Sequence, residues 1–538
     1  MAIVTFADLV LARADDDHVG LRFEDESFTW AEVVTAARRR AGLLSPGTHV
    51  GVLLENVPEY VFWIGAATLA GATVVGINPT RRGQELATDI RHTDCDLIVT
   101  DTVHAELLKG LDTGAKSLLL IDTPAYRNAL PPPAQPVPAD PRDRLLLLFT
   151  SGSTGAPKAV ACGQGRLAAI AVMSARMGIT RDSVTYVAMP LFHGNAVMAN
   201  FAMAVHAGAT VALRRKFSAS GFLPDVRKFG VTYFNYVGRA LAYILATPEQ
   251  PSDADNTLQA CFGTEASAQD MARFSTRFAC HIIEGYGSSE GAISMQKTPE
   301  TPPDALGLPQ PGIEVAILDP ETGAECPRAR FDDHNGLLNT DAIGEIVGLN
   351  VASAFEGYYK NPEADAERVR DGKYWSGDLG YRDEKGFFYF AGRGADRLRV
   401  DSENFAAAPV ERILSRWPAV VMCAVYPVPD PRTGDQVMAA LELNTPFDAE
   451  AFAAFLAAQP DLGTKWAPRF VRVVGSMPLT ATGKVDKRPL RRDRWEAADP
   501  IWHRPGRALA YEPLDSARAK ALRAEFESHG RTHILSTL

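Results

Sequence analysis

The run Leu145-Leu146-Leu147-Leu148-Phe149 leads without a break into Thr150-Ser151-Gly152-Ser153-Thr154-Gly155-Ala156-Pro157-Lys158. Five apolar residues with no polar alternation read as a strand buried on both faces, as in the sheets of layered α/β proteins. In the turn that follows, two glycines let the backbone fold back and present its N–H groups. Four hydroxyls add donors, and Lys158 adds a positive charge. That is equipment for holding a polyphosphate. The spacing is G-x-x-G-x-x-K with no Ser or Thr after the lysine, so it is not the Walker type. Taken alone, the segment also reads as a flexible Ser/Gly turn. The strand before it and the proline beside the lysine favour the phosphate reading.

Residues 1–140 alternate helical patterns with short apolar strands. Residues 31–44 have helical periodicity with Arg38, Arg39 and Arg40 on the polar side. Residues 49–54 read as a strand, 59–70 and 72–77 repeat helix then strand, and 97–100 and 117–121 are further strands. This alternation predicts an α/β multi-layer domain with a largely parallel sheet. The proline-rich stretch 131–141 reads as an exposed linker. The α/β texture resumes at 167 and runs to about 287. After Pro302, glycine, proline and short alternating strands dominate through Phe390, which predicts a β-rich subdomain. Gly392-Arg393-Gly394-Ala395 reads as a hinge, 396–490 as a small α+β unit, and 516–528 as an amphipathic helix of mixed charge. The expected organisation is a large N-terminal domain over 1–393 and a small, mobile α+β C-terminal domain over 394–538.

Composition narrows the function classes. Of 538 residues, 46% are hydrophobic and 22% charged, which supports packed cores and excludes disordered, collagen-like and disulfide-scaffold chains. A net charge of −10 argues against a nucleic-acid binder. The six cysteines form no CxxC pair, which suits reduced thiols in the cytoplasm better than a disulfide or zinc framework. The acid-bearing N-terminus lacks the basic segment and apolar run of a secretory signal. Residues 61–77 carry no charge, but they fall short of the ~20 residues a span needs and contain Gly65, Gly71 and Gly76. A buried helix, a glycine turn and a strand account for them, so no transmembrane span is expected.

Four further segments follow the phosphate loop in order: Tyr286-Gly287-Ser288-Ser289-Glu290, Ser376-Gly377-Asp378, Gly392-Arg393, and Pro478-Leu479-Thr480-Ala481-Thr482-Gly483-Lys484. With the loop, they resemble the signatures of the adenylate-forming superfamily, which includes acyl-CoA synthetases, peptide-synthetase adenylation domains and luciferases. Serine stands for threonine in the Y-G-x-T-E and T-G-D segments. Two more stretches, 236–245 and 398–404, resemble the fatty-acid-transport-protein-like, very-long-chain acyl-CoA synthetase branch, whose bacterial relatives also act on steroid side-chain acids.

The resemblance implies a two-step reaction in which a carboxylate attacks the α-phosphate of ATP, and a thiol, usually of CoA, then displaces AMP. It implies Mg²⁺ held by Glu290, and Lys484 as the charge that reaches the α-phosphate and carboxylate. Thr150, Ser151, Gly152, Ser153, Thr154, Gly155 and Lys158 would hold the phosphates. Tyr286 would stack on adenine with Gly287, Ser288 and Ser289 beside it. Gly263 and Thr264 resemble the adenine-side loop, though a plain loop is nearly as good a reading. Asp378 would accept from the ribose hydroxyls, and Arg393 would reach the ribose or phosphate. Phe192-His193-Gly194-Asn195 resembles the aromatic-histidine segment, so His193 would meet the acyl carboxylate or gate CoA. Tyr236, Val237 and Gly238 would line the acyl channel, a buried helix start being the plain alternative.

Two positions depart from the pattern. Ala395 stands where many relatives carry Asp or Lys at the hinge, and Ser402 stands where the branch has glycine along the pantetheine route. The expected function is an ATP-dependent acyl-CoA synthetase acting on a long-chain or bulky hydrophobic carboxylic acid. The alternatives are an acyl-AMP ligase feeding a carrier protein and a non-catalytic nucleotide-dependent lipid-binding or uptake protein. A lipid substrate would bring peripheral membrane contact. Arg214-Arg215-Lys216 is a candidate dock, or else a solvated basic turn, and the tail helix reads equally as a partner or oligomer contact.

Overall fold

The computed structural model describes the chain except residues 1–3, 151–157, 238–239, 265, 267, 303, 332–336, 394–396, 401–402, 432–433, 460–461, 464, 481–482, 507, 530 and 537–538. The chain forms two compact units. The first comprises Met1–Ser294 with Ser353–Val369, the second Met295–Ala352 with Arg370–Leu538.

Among the described residues the first unit contains thirteen strands: β1 (Val19–Phe23), β2 (Glu26–Thr29), β3 (His49–Leu53), β4 (Thr73–Gly76), β5 (Leu97–Thr100), β6 (Ser117–Leu120), β7 (Arg144–Phe149), β8 (Ala159–Gly163), β9 (Val184–Val187), β10 (Thr210–Leu213), β11 (Tyr233–Val237), β12 (Ala260–Thr264) and β13 (His281–Gly287). They build two sheets, ordered β6-β5-β3-β4-β7-β8 and β13-β12-β11-β9-β10-β1-β2. All pairings are parallel except the last of each, β7/β8 and β1/β2. The expected parallel α/β architecture is therefore present, with the fully buried runs it demands: β3, β4, β5 and β11 are buried along their whole lengths. Segment 357–359 lines up against β8 through the Ala161 N–H on the Gly357 carbonyl (3.0 Å) and the Tyr359 N–H on the Ala159 carbonyl (2.8 Å).

Local chemistry sets the helix bounds. Thr29 and Glu32 form a reciprocal capping box for Trp30–Ala41. Pro58 opens Pro58–Ala70 and a left-handed Gly71 closes it, ahead of β4. Every residue of that helix from Tyr60 to Ala70 is buried, so the uncharged 61–77 stretch is core. Among the described residues no helix is long and apolar enough to cross a membrane.

Two expectations need correction. Arg40 does not share the polar side of its helix. It is buried, pairs with Glu59 (Nε to Oε2 2.7 Å) and lies 4.8 Å from the Phe62 ring centroid, because Glu59 supplies the counter-charge and Tyr126 a second donor to it. Stretch 131–141 is exposed along much of its length, as expected, but it is fastened down and does not run free as a linker. Arg38 and Arg39 donate to the carbonyls of Ala134, Pro131 and Leu130, and the Val137 N–H donates to Leu69. The basic triplet is a solvent-exposed turn, one of the two readings expected, and it carries surface ion pairs: Arg214 with Asp225 (3.1 Å), Arg215 with Glu24 (3.2 Å) and Lys216 with Glu55 (2.5 Å).

In the second unit, one antiparallel sheet orders Val315–Leu318, Gly344–Gly348, Lys373–Arg382, Phe388–Arg393, Ala305–Pro309 and Ser294–Gln296. This is the expected β-rich stretch. Beyond it, Val420–Pro429, Asp435–Leu443, Phe470–Val474, Ile501–His503 and Glu512–Pro513 form a five-stranded sheet. Its core gathers Phe405, Trp417, Phe452 and Trp466. The α+β unit thus runs past residue 490, since two tail strands complete its sheet and Phe526 of the helix Ser516–Ser528 stacks on Trp495 (5.9 Å).

His503 lies in this sheet at 1% exposure, its ring 5.7 Å from that of Phe470. Neither ring nitrogen has a hydrogen-bond partner among the described residues, and the Glu512 carboxylate is 3.8 Å away. Burial first, then Arg469 and Arg518, hold its pKa down at about 4. Between pH 6.5 and 4 the unfolded chain binds a proton that the folded chain refuses, so stability is lost as pH falls through that window. Going from pH 7.5 to 5 should cost about 2 kcal/mol through this group. Urea midpoints at the two pH values should converge more closely in His503→Phe than in the parent; an equal pH dependence in both would contradict the assignment.

Candidate functional site

Parallel strands deliver their C-terminal ends to one edge of a sheet, where open α/β sheets bind ligands. In the first unit, the sequence-predicted residues fall at such ends. Tyr236 and Val237 close β11, Gly263 and Thr264 close β12, and Tyr286 and Gly287 close β13. His193 lies six residues beyond β9, and Thr150 directly follows β7. Residues 151–157 and Gly238 lie outside the described residues. The Thr150 N–H donates to the Lys158 carbonyl (3.1 Å) where β7 turns back into antiparallel β8. A strand, not a helix, therefore follows Lys158, in keeping with the non-Walker spacing.

Close approach explains two glycines. A Cβ on Gly263 would stand 2.2 Å from the Tyr236 ring, so any larger residue would expel that side chain. Tyr236 is fully buried beside Phe234, in the aromatic cluster that also holds Phe222 and Phe274. It sits on a central strand, not at a helix start. A Cβ on Gly194 would meet Ser289 Oγ at 2.9 Å, which brings the His193 turn against the Tyr286–Glu290 turn. Asn56 fixes the approach to His193. Its amide donates to the Met189 carbonyl (2.9 Å), and its oxygen accepts from the Leu191 N–H (2.8 Å). His193 itself caps the short helix Gly194–Ala196.

Glu290 is 6% exposed, so it is no solvated glutamate, and the chain beyond it turns toward a strand instead of a helix. The Tyr358 hydroxyl donates to its Oε1 at 2.8 Å, and Arg368 Nε donates to that hydroxyl at 3.1 Å. Tyr358 has its pKa raised, by burial first and then by the Glu290 charge, so it remains a phenol donor. Lys158 lies over the Tyr358 ring, 5.7 Å from its centroid, and pairs with Glu367 at 3.1 Å. The cluster thus ties the end of the phosphate loop to the Tyr286–Glu290 segment through Tyr358, a residue the motif reading missed. The signal was present in Gly357-Tyr358-Tyr359, a turn with two aromatic residues between the segments that were read, but a sequence does not reveal which strand such a turn will join.

In the second unit, Asp378 and Arg393 stand opposite each other on adjacent antiparallel strands. Ser376 Oγ donates to the Ile346 carbonyl (2.7 Å) and accepts from the Asp378 N–H (3.1 Å), so serine performs the hydroxyl's task here as threonine would. Lys484 sits on a tight loop. The Gly483 N–H donates to the Thr480 carbonyl (2.9 Å), the Thr480 N–H to the Lys484 carbonyl (2.7 Å), and the Lys484 N–H to Thr480 Oγ1 (3.2 Å). Ala395 and Ser402 lie outside the described residues. Among the described residues no group of three His, Cys, Asp or Glu gathers, so a metal here would depend on Glu290 with non-protein oxygens.

Comparison with known proteins identifies the family and the fold. The sequence model of the AMP-binding enzymes matches residues 10–359, and that of the AMP-binding enzyme C-terminal domain matches 409–484. The chain is 53% identical over 549 aligned residues to a steroid-22-oyl-CoA synthetase of Rhodococcus jostii, with 99% of each chain covered. It is 45% identical to the medium/long-chain-fatty-acid–CoA ligase FadD17 of Mycobacterium marinum, covering 93% of this chain and 98% of that one. Among solved structures, ATP-bound MatB from Rhodopseudomonas palustris superposes with a TM-score of 0.79 at 24% identity, covering 91% and 98%. The anthranilate CoA ligase AuaEII superposes with 0.80 at 22%, covering 91% and 97%, and the two likenesses establish the shared fold. The chain belongs to the adenylate-forming superfamily of AMP-binding enzymes.

Proposed function

We propose that this protein is an ATP-dependent acyl-CoA synthetase for a bulky hydrophobic carboxylic acid, with a steroid side-chain acid the first choice and a long-chain fatty acid the second. The observation that carries the reading is similarity along the whole of both chains to a protein named as a steroid-22-oyl-CoA synthetase. The finer fatty-acid-transport-protein-like placing is supported only loosely, through relatives named as fatty-acid–CoA ligases. The proposed functional division is an N-terminal domain over 1–393 that binds ATP and acid, and a C-terminal domain over 394–538 that carries Lys484 and rotates between half-reactions. The proposed location is the cytoplasm.

The chemistry dictates what the side chains must do. In the first step an oxygen of the acid's carboxylate bonds to the α-phosphorus of ATP and the bond to pyrophosphate breaks. In the second, the CoA thiolate attacks the acyl carbon and AMP leaves. The first step presses an anion against a polyanion, so catalysis needs positive charge and alignment. The hydroxyl and N–H groups of the loop 150–158, with Lys158, are proposed to hold the phosphates, and Lys484 to meet the developing charge at the α-phosphate. The donor set at Glu290 fits Mg²⁺, a hard ion that accepts one carboxylate and fills its shell with phosphate and water oxygens. Tyr358 engages one carboxylate oxygen and leaves the other for the ion. When bound, Mg²⁺ would neutralise phosphate charge. Tyr286 is proposed to stack on adenine with Gly287 to Ser289, Gly263 and Thr264 around it, Asp378 and Arg393 to meet the ribose, His193 the carboxylate, and Tyr236 to Gly238 the acyl side.

A pyrophosphate-release screen tests the reading. With ATP, Mg²⁺ and CoA, steroid side-chain acids and long-chain fatty acids should give acid-dependent release and an acyl-CoA product. Release without acid, or a product formed only with an added carrier protein, would overturn it. Lys484→Ala should slow adenylation by roughly 10²–10³ while thioester formation from supplied acyl-adenylate persists; equal loss in both half-reactions would remove Lys484 from its role. Tyr358→Phe leaves a buried carboxylate short of a donor, which should cost about 1.5–3 kcal/mol in urea unfolding. Adding Glu290→Gln should recover part of that loss, and an unchanged midpoint in Tyr358→Phe would contradict the contact.

A further inference from the structure

Three asparagines, Asn200 and Asn235 buried and Asn195 half-buried, form a chain of hydrogen bonds beneath the His193 turn. Asn235, 3% exposed on β11, donates through Nδ2 to the Asn195 main-chain carbonyl (3.2 Å) and to the Asn195 side-chain oxygen. Its own Oδ1 accepts from Asn200 Nδ2 at 2.7 Å, and Asn200, fully buried, also donates to the Tyr186 carbonyl at 3.0 Å. The Asn195 N–H closes the chain on His193 Nδ1 at 3.4 Å. The bonds have one direction: the side-chain amides of Asn200 and Asn235 each give an N–H to the next oxygen, and the N–H that points at the imidazole is that of the Asn195 main chain.

The backbone above is irregular in a way that requires these bonds. Gly194–Ala196 opens as an α-turn and Val197–Phe201 continues as a π-turn before the α-helix Ala202–Ala207. A π-turn displaces the carbonyl-to-amide ladder and is common at functional sites. β11 compensates with side chains at i and i+2, which share one face of the strand. Tyr233 donates its hydroxyl to the Ala199 carbonyl (3.0 Å), and Asn235 donates to that of Asn195. Asn200 Oδ1 has no partner among the described residues although it is buried. A leucine at each buried position would satisfy the core more simply, so the amides serve geometry at the turn.

We infer that Asn235, acting through Asn195 and braced by Asn200, is a positioning residue for His193. With the Asn195 main-chain N–H directed at Nδ1, the neutral imidazole carries its own proton at Nε2, the nitrogen proposed to face the acyl carboxylate. The inference rests on the proposed role of His193 toward the acid.

The test is a double-mutant cycle on the full-length protein, read by acid-dependent ATP–pyrophosphate exchange. Asn235→Leu should lower kcat/KM for the acid about ten- to a hundredfold and leave the KM for ATP within about twofold, the scale of a misplaced group. In a His193→Ala background the same substitution should change kcat/KM for the acid less than about twofold. Full additivity of the two substitutions, or a parallel loss in the KM for ATP, would overturn the inference, because a general packing defect acts whether or not the imidazole is there. If Asn235→Leu does not fold, Asn195→Ala removes the side-chain contact from the half-buried end while the two main-chain bonds stay, and it must show coupling of the same sign at smaller size. An active parent with additive variants defeats this inference alone, whereas a parent with no acid-dependent exchange defeats the proposed function beneath it.

Discussion

Strands that run parallel all finish at the same edge, and the first unit is built around that constraint. β9, β11, β12 and β13 lie side by side in one parallel sheet, so the segments that leave them converge however far apart they lie in sequence. Close packing then sets the distances. Tyr236 occupies the space a side chain on Gly263 would need, and Ser289 the space a side chain on Gly194 would need. The placement of the candidate site is thus a consequence of sheet topology, trimmed by two glycines.

Polar groups placed inside this apolar frame must be bonded, and their bonds record what the frame is for. A carboxylate buried at Glu290 is tolerable because Tyr358 donates to it and Arg368 donates to Tyr358. The asparagines below His193 are tolerable because each finds a carbonyl or amide partner. Neither set lies at the protein surface, and both touch segments that the motif comparison had marked. Buried hydrogen-bonded polar groups hold a turn more rigidly than apolar contacts do, since each bond fixes direction as well as distance.

Much of this was legible in the chain itself. The uninterrupted run at 145–149 forecast a doubly buried strand, and the alternation upstream forecast parallel pairing, because period and length report directly on burial. Five ordered motifs marked the segments of the candidate site and the family to which the chain belongs. Three things were not legible. Arg40 looked solvent-facing because helical periodicity locates a face and not the Glu59 that neutralises it from another helix. The tail beyond residue 500 looked separate because two- and three-residue strands carry too few residues to show a period. Tyr358 and Asn235 were missed because each works through a partner dozens of residues away, and a single sequence does not reveal which distant turn a strand will meet.

The central claim is that the acid's own oxygen attacks the α-phosphorus. An acid labelled with ¹⁸O in its carboxylate, turned over with ATP and CoA, should deliver one labelled oxygen to AMP for each thioester formed. Label found in inorganic phosphate with ADP as co-product, or absent from AMP while thioester accumulates, would contradict the account.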